Sequence, residues 1–361
     1  MHSSRIAILG AGLSGLYAAS LLTRRAGHEV LLLEARARAG GRILSVPARA
    51  HGAGAALDRV DLGPSWFWPS LQPQLDALIA SLGLARFAQP EDGDMLVERS
   101  PREGVLRLRG HVTAPTSMRL VGGMAALTDA LLAQLPPACL HTDRMVRTLR
   151  CADAMVEVEA VDAAGGLHHW QVDKVLLALP PRLAAQRIVF EPALPPELLR
   201  QWQATATWMA PHAKYLAVYP TAFWRERGLS GEARSALGPL GEIHDAGTPG
   251  GSAALFGFVG VPARTRLQLA PDALRAACRA QLARLFGAQA AAPQQDFLQD
   301  WAQEPHTATA ADLDSAGQHA VAPPARASEG PWRERLLGIG SEWSTQFPGY
   351  LAGAVEAAGE V

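Results

Sequence analysis

Arg5-Ile6-Ala7-Ile8-Leu9-Gly10-Ala11-Gly12-Leu13-Ser14-Gly15, answered by Glu34 about twenty residues further on, is the stretch that decides the fold. Arg5 to Leu9 is a short, branched apolar run of the kind that forms a buried parallel strand. Gly10 to Gly15 then turn the chain. Gly10 permits the tight turn, Gly12 lets the backbone approach a pyrophosphate, and Gly15 lets the next helix pack close to the strand. That helix runs through Leu16, Leu21 and Leu22 and is expected to stop near Gly27, a good C-cap residue. Val30 to Leu33 makes a second buried strand ending on Glu34, which completes a βαβ unit. The helix N-terminus faces a phosphate with free N–H groups, and an ionised Glu34 can accept both hydroxyls of an adenosine ribose. It would repel a 2′-phosphate, so FAD or NAD fits better than NADP. Glycine-rich turns are common, and an ordinary strand–turn–helix is the plain alternative. The segment also has the basic-then-apolar profile of a secretory leader, but its glycines fall where a phosphate-binding turn needs them.

The chain has 361 residues, enough for two domains and a sizeable core. Its 48% hydrophobic and 19% charged residues are those of an ordinary globular protein. A formal net charge of −1 excludes a global basic field for nucleic acid or anionic lipid. No apolar run reaches the length of a membrane span, so no membrane anchor and a cytoplasmic location are expected. Lys174 and Lys214 are the only lysines among many arginines, and with so much alanine this points to a GC-rich bacterial genome. Cys139, Cys151 and Cys278 are odd in number and scattered, which argues against a disulfide framework or a zinc site; they read as small buried hydrophobes. His168-His169 lies on a strand, where neighbours face opposite ways, so no metal site is expected there.

Further along, a loop-like stretch extends from Gly40-Gly41-Arg42 through Gly63-Pro64, and a helix is predicted from about Leu71 to Leu82. Gly122-Gly123 opens an amphipathic helix carrying Leu127, Leu131 and Leu135. Strands are predicted at Val156 to Glu159, His168 to Val172, Val175 to Leu179, Tyr215 to Tyr219 and Leu255 to Val259. A long helix covers Pro271 to Phe286, Leu336 to Gly340 is a last buried strand, and Gly349 opens a helix still running at Val361.

Gly40-Gly41-Arg42, a second glycine pair with a cation just past the ribose acid, favours FAD over NAD. At this point the chain resembles the flavin-containing amine oxidases. The match runs in order through Glu34-Ala35-Arg36, Gly40-Gly41-Arg42, Asp61-Leu62-Gly63-Pro64-Ser65, Val121-Gly122-Gly123-Met124 and Ala178-Leu179-Pro180-Pro181. It continues with Phe223-Trp224, Asp300-Trp301, Gly340-Ser341-Glu342 and Gly349-Tyr350-Leu351-Ala352-Gly353-Ala354-Val355-Glu356. The resemblance implies an α/β fold. A Rossmann-like FAD-binding domain would be built from three segments, 1–64, 118–206 and 326–361, with a smaller mixed-sheet (α+β) substrate domain from 65–117 and 207–325. It also implies that Glu34 holds the adenosine ribose, that Arg36 and Arg42 lie near the pyrophosphate, and that the backbone around Val146 meets the adenine. Glu342 would approach the ribityl–phosphate region, and the helix beginning near Tyr350 would point its N-terminus at the pyrimidine edge of the flavin. With the motif neighbours, the implied FAD contacts are Gly10, Gly12, Leu13, Ser14, Gly15, Glu34, Ala35, Arg36, Gly40, Gly41, Arg42, Gly63, Pro64, Ser65, Val146, Gly340, Glu342, Gly349, Tyr350 and Leu351. No cysteine lies near the C-terminal flavin segment, so the FAD is expected to be non-covalent.

The implied reaction is oxidation of a small-molecule amine. A hydride leaves the carbon beside a neutral nitrogen for flavin N5, the imine hydrolyses, and O2 takes the electrons to give H2O2. Tyr350 is the candidate catalytic residue, one wall of an aromatic cage. Three features depart from the family's pattern or leave its pocket open. The facing wall is expected about ten residues after Trp301, where the chain reads Ala310-Ala311-Asp312. A flavin-side lysine is expected just after Gly257-Phe258-Val259, where Ala263 stands, while Lys214 reads as structural or a rim contact. Trp66 and Trp68 read as either pocket or core. The missing wall and lysine leave room for a desaturase or a dehydrogenase with another acceptor. A flavin-bound protein acting through a partner is the reading from a different class.

Overall fold

Ile6 and Ile8 pack on one side of the strand Ser4–Leu9 (β1) and Ala7 and Leu9 on the other, and both sides are buried. The computed structural model describes residues 4–49, 57–152, 154–314 and 321–361; the 50–56 part of the loop after Gly40 lies outside them. β1 is central in a five-stranded parallel sheet ordered Leu336–Gly338, Lys174–Leu177, β1, His28–Leu33 (β2), Leu140–His141. Leu9 pairs with both Leu33 and Leu177, so three strands end level and deliver Gly10, Glu34 and Ala178 to one edge. Helix Leu13–Thr23 (α1), helix Ala125–Leu132 and helix Leu351–Gly359 cover the Ile6 face. The Ala7 face packs on a four-stranded sheet, Leu167–Val172, Met155–Val161, Met145–Ala152 and Val189–Glu191, and on Trp202, Trp332 and Trp343. This is an α/β fold with a Rossmann-like unit at its start.

A third, seven-stranded sheet runs in the order Gln295–Asp300, Ala213–Tyr219, Ala253–Val259, Leu240–Asp245, Leu229–Ser235, Asp94–Glu98, Val105–Arg109. Every residue of Ala213–Tyr219 is buried. Tyr215, Ala217 and Tyr219 pack with helix Pro271–Phe286, whereas Leu216 and Val218 pack with Val60 and Leu62. By alternation Lys214 belongs to the second set, facing the loop that follows strand Arg59–Asp61. Among the described residues no helix is long and apolar enough to cross a membrane.

Several boundaries differ from expectation, among them three helix ends. α1 stops at Thr23 with Arg24 as its C-cap, and Gly27 (φ +91°) instead turns the chain into β2. The last helix ends at Gly359 rather than continuing to Val361, since glycine is a poor helix former. The helix after Gly123 ends at Leu132, so Leu135 is buried beyond it rather than on it.

The packing of α1 on the glycine turn depends on a missing methyl group. A Cβ at Gly15 would stand 1.9 Å from the Gly10 carbonyl oxygen and 3.2 Å from the Ala178 Cβ. Gly15→Ala is therefore expected to cost about 1–3 kcal/mol by overpacking. The reading is a lower denaturant midpoint at unchanged slope. An unmoved midpoint would show that helix and turn are not locked together.

Candidate active site

A cavity of about 850 Å³ follows the carboxyl ends of the parallel strands and continues under the seven-stranded sheet. Ligand sites of α/β sheets are found at this edge. At one end lie Gly10, Gly12, Leu13 and Ser14, with Glu34, Ala35 and Arg36 from the end of β2. Gly40, Gly41 and Arg42 continue the wall, and Gly63, Pro64, Ser65, Val146 and Gly340 contribute from other segments. Gly349, Tyr350 and Leu351 also line it. Two of the implied contacts lie outside the wall. Gly15 packs behind the turn, and Glu342 is buried beneath Arg42.

Glu34 is only 3% exposed. Its Oε2 accepts from the Ala11 amide at 2.8 Å and its Oε1 from the Arg36 amide at 2.9 Å. A carboxylate has about four acceptor sites, so roughly two remain for hydroxyl groups in the cavity. Helix α1 starts at the wall with no side-chain cap and no acid in its first turn, which leaves its N-terminus to an external anion. Arg42 makes a bidentate pair with Glu342 at 2.6 and 3.1 Å and is held rigidly at the wall. Arg36 turns instead to Glu304 at 3.1 Å and Thr307 Oγ1 at 2.9 Å. Arg144 Nε and His212 Nδ1, both on side chains of the cavity wall, are buried without a hydrogen-bond partner among the described residues. Burial, and secondarily the Arg266 guanidinium, hold the His212 imidazole below its ordinary pKa. A glycine turn at a helix start, a ribose-type acid and unpartnered cavity donors together fit a dinucleotide.

Of the two readings of Lys214, structural or rim, the rim fails: it is 3% exposed and lines the cavity. Its Nζ donates to Ser65 Oγ at 2.7 Å and to the Gly63 carbonyl at 3.1 Å, and stands 4.0 Å from the centre of the Phe256 ring. Ala263, where the lysine was expected, is buried at the start of helix Ala263–Arg266, outside this cavity. A lone lysine inside an otherwise apolar and aromatic strand was the available signal.

The aromatic residues form one surface. Tyr350 caps the helix Leu351–Gly359, and its ring centre lies 4.6 Å from that of Trp208 at 46°. Trp68 meets it edge-on at 6.4 Å. Rings 4.6 Å apart are in contact, so Trp208 backs Tyr350 and does not face it across a gap. Ala310 and Ala311 do not line the cavity. Trp66 also lines it, packed against His244 and Phe258. Trp208 escaped the sequence reading because it sits in an irregular segment with no periodicity.

Residues 102–361 match the family model described as flavin containing amine oxidoreductase, and residues 8–82 match that of an NAD(P)-binding Rossmann-like domain. The chain belongs to the flavin-containing amine oxidoreductase family. Its cofactor is accordingly a flavin. Among its relatives, putrescine oxidase of Kocuria rosea is 31% identical over 266 residues, 67% of this chain and 52% of that protein. A flavin-containing amine oxidase of Danio rerio is 26% identical over 265 residues, 70% and 48% of the two chains. The chain thus spans about half the length of the relatives it matches in sequence. Two solved structures share the fold. Cyclohexylamine oxidase from Brevibacterium oxydans IH-35A has a TM-score of 0.79 at 20% identity, covering 99% of this chain and 97% of that one. Wild-type putrescine oxidase bound to putrescine has a TM-score of 0.76 at 21% identity, with coverages of 99% and 97%.

Burial lowers the Lys214 ammonium from its ordinary 10.5 to about 7, with Asp61 opposing the shift and Arg119 adding to it. The folded pKa lies below the unfolded one, so the burial penalty is full below about 7 and is relieved as pH rises from there toward 10.5. Relative to Lys214→Met, the parent protein should therefore gain stability across that window. Urea midpoints of the two proteins across the window test this. A constant difference would show that Lys214 titrates normally.

Proposed function

We propose that the protein binds FAD without a covalent link and oxidises an amine. The observation that carries this reading is the continuous cavity joining Glu34 and the start of α1 to Lys214 and Tyr350. None of the three cysteines lines it, which supports non-covalent binding. Glu34 would hold the ribose with its free lone pairs. The α1 N-terminus and Arg42 would hold the pyrophosphate, and the helix Leu351–Gly359 would present its N-terminus to the flavin ring. When bound, a flavin would supply two-electron oxidation of the carbon–nitrogen bond of the substrate, with O2 as the final acceptor. Every other task falls to the chain.

Tyr350, Trp208 and Trp68 offer a continuous apolar surface on which an amine's carbon chain can lie while water is excluded. Lys214 Nζ has three N–H groups, two of them used by Ser65 and Gly63, and can hold a water or exchange a proton with one near neutral pH. When charged it also disfavours a second positive charge nearby, so the substrate nitrogen is driven toward its neutral form. The desaturase alternative rested on a missing lysine and a missing facing wall. Lys214 removes the first of these grounds, and the open wall favours bulky amines.

Anaerobic titration of the flavin-loaded protein with a panel of amines, amino acids and unsaturated hydrocarbons tests the reading. Amines should bleach the visible flavin band, and reduction by hydrocarbons alone would overturn it. With a reducing amine, Tyr350→Phe should keep most of the reduction rate, whereas Tyr350→Ala should lose about tenfold or more with FAD still bound. Equal rates in all three forms would make Tyr350 a packing residue.

Glu34→Ala removes the proposed hydroxyl contacts together with the two backbone braces. FAD affinity should fall by at least about tenfold, since charge-assisted hydrogen bonds contribute roughly 1.5–3 kcal/mol each. Fluorescence titration of the apoprotein with FAD reads it. Unchanged affinity would remove Glu34 from the cofactor site.

A further inference from the structure

The turn Ala310–Asp312 has no aromatic ring to offer the pocket, but it carries a fully buried carboxylate. Asp312 Oδ1 accepts from the Thr207 amide at 3.0 Å and from Arg182 Nη1 at 2.6 Å. Its Oδ2 accepts from the amide and the hydroxyl of Thr309, each at 2.8 Å. Arg182 turns its other nitrogens to the carbonyls of Gln203 at 2.9 Å and Ala204 at 3.0 Å, at the end of helix Pro196–Ala204. One buried charge pair therefore fixes the backbone at 203, 204 and 207, immediately before Trp208.

The backbone just beyond that anchor is strained. Met209 has φ +63°, a left-handed conformation that a non-glycine residue keeps only where its surroundings over-determine it. On the other side Trp208 is pressed against Gly349. A Cβ at Gly349 would stand 2.9 Å from the Trp208 Cβ, so only glycine leaves the indole its seat beside Tyr350.

We propose that Asp312, acting through Arg182 and Thr207, is a positioning residue that holds Trp208 against Tyr350 and sets the angle of the aromatic surface the substrate meets. The turn that lacks a ring supplies the carboxylate that orients a ring carried elsewhere. The clamp rests on geometry alone, whereas its effect on turnover rests on the amine-oxidising reading above.

Two measurements on the flavin-loaded protein test it. The near-ultraviolet circular dichroism difference between parent and Trp208→Phe reports the fixed surroundings of Trp208. Repeated in an Asp312→Asn background, that difference should lose most of its amplitude; full amplitude would overturn the clamp. The isosteric asparagine guards against general unfolding. In anaerobic reduction by benzylamine, Asp312→Ala and Trp208→Ala should each lower the limiting rate about tenfold with FAD retained. The double variant should lose no more than the worse single one. Independent, multiplying losses would show that Asp312 does not act through Trp208 and would overturn the proposal. If benzylamine and the other amines fail to reduce the parent flavin, the amine reading falls, and the dichroism still decides the clamp.

Discussion

A lysine ammonium with almost no exposed surface is the constraint around which the two halves of this molecule meet. Lys214 sits on the large sheet, and both of its hydrogen-bond acceptors, Gly63 and Ser65, sit on the loop that follows strand Arg59–Asp61. An unsatisfied amine there would cost several kcal/mol, so the sheet and the loop must stay in contact for the fold to hold. The Trp301 indole donates to the Leu62 carbonyl at 3.1 Å and stitches the same loop to the segment after strand Gln295–Asp300.

Charge is arranged differently at the two ends of the cavity. Around Glu34 the groups are strong and committed: two amides on the carboxylate, Arg42 locked on Glu342, Arg36 on Glu304. Such a network is rigid and suits a ligand that binds once and stays. Around Tyr350 the surface is aromatic, and burial keeps Lys214 and His212 titrating below their usual ranges. That end suits a ligand that must enter, change its proton count and leave. Glu34 stands at the end of a parallel strand, whereas Lys214 lies on strand Ala213–Tyr219 and Tyr350 caps helix Leu351–Gly359.

Much of the fold was legible because its causes are local. Ile6 to Leu9 announces a strand buried on both faces, and Gly15 and Glu34 stand at spacings that only a βαβ turn explains. Helix Pro271–Phe286 ran as read, with proline at its start and Gly287 after it. The active-site end was less legible because its causes are distant. Lys214 meets Ser65 across 149 residues, and Asp312 meets Arg182 across 130. The apolar flanks of Lys214 mark it as unusual, but they do not name the loop that it meets. Trp208 owes its position to Gly349 and to Asp312, and neither can be inferred from the run Thr205 to His212. Glu342, expected near the ribityl–phosphate region, pairs through both its oxygens with Arg42, a partner 300 residues away that no local pattern reveals.

Buried ion pairs contribute little net stability, and well-packed apolar residues of similar volume often do as well or better. The Arg182–Asp312 pair is therefore poorly explained as a stabiliser. Its side chains reach backbone groups, which an apolar pair cannot do: two carbonyls at a helix end, and the amides of Thr207 and Thr309. The same holds for Arg119, fully buried and donating to the carbonyls of Ala246 and Gly247. In each case a desolvated charge is exchanged for a fixed stretch of irregular backbone. Regular strands and helices obtain that rigidity from their own hydrogen-bond ladders, but residues 206–209, past the end of helix Pro196–Ala204, belong to no such ladder. A side chain such as Trp208, carried by such a segment, gains a set orientation when charges of this kind anchor the backbone just before it.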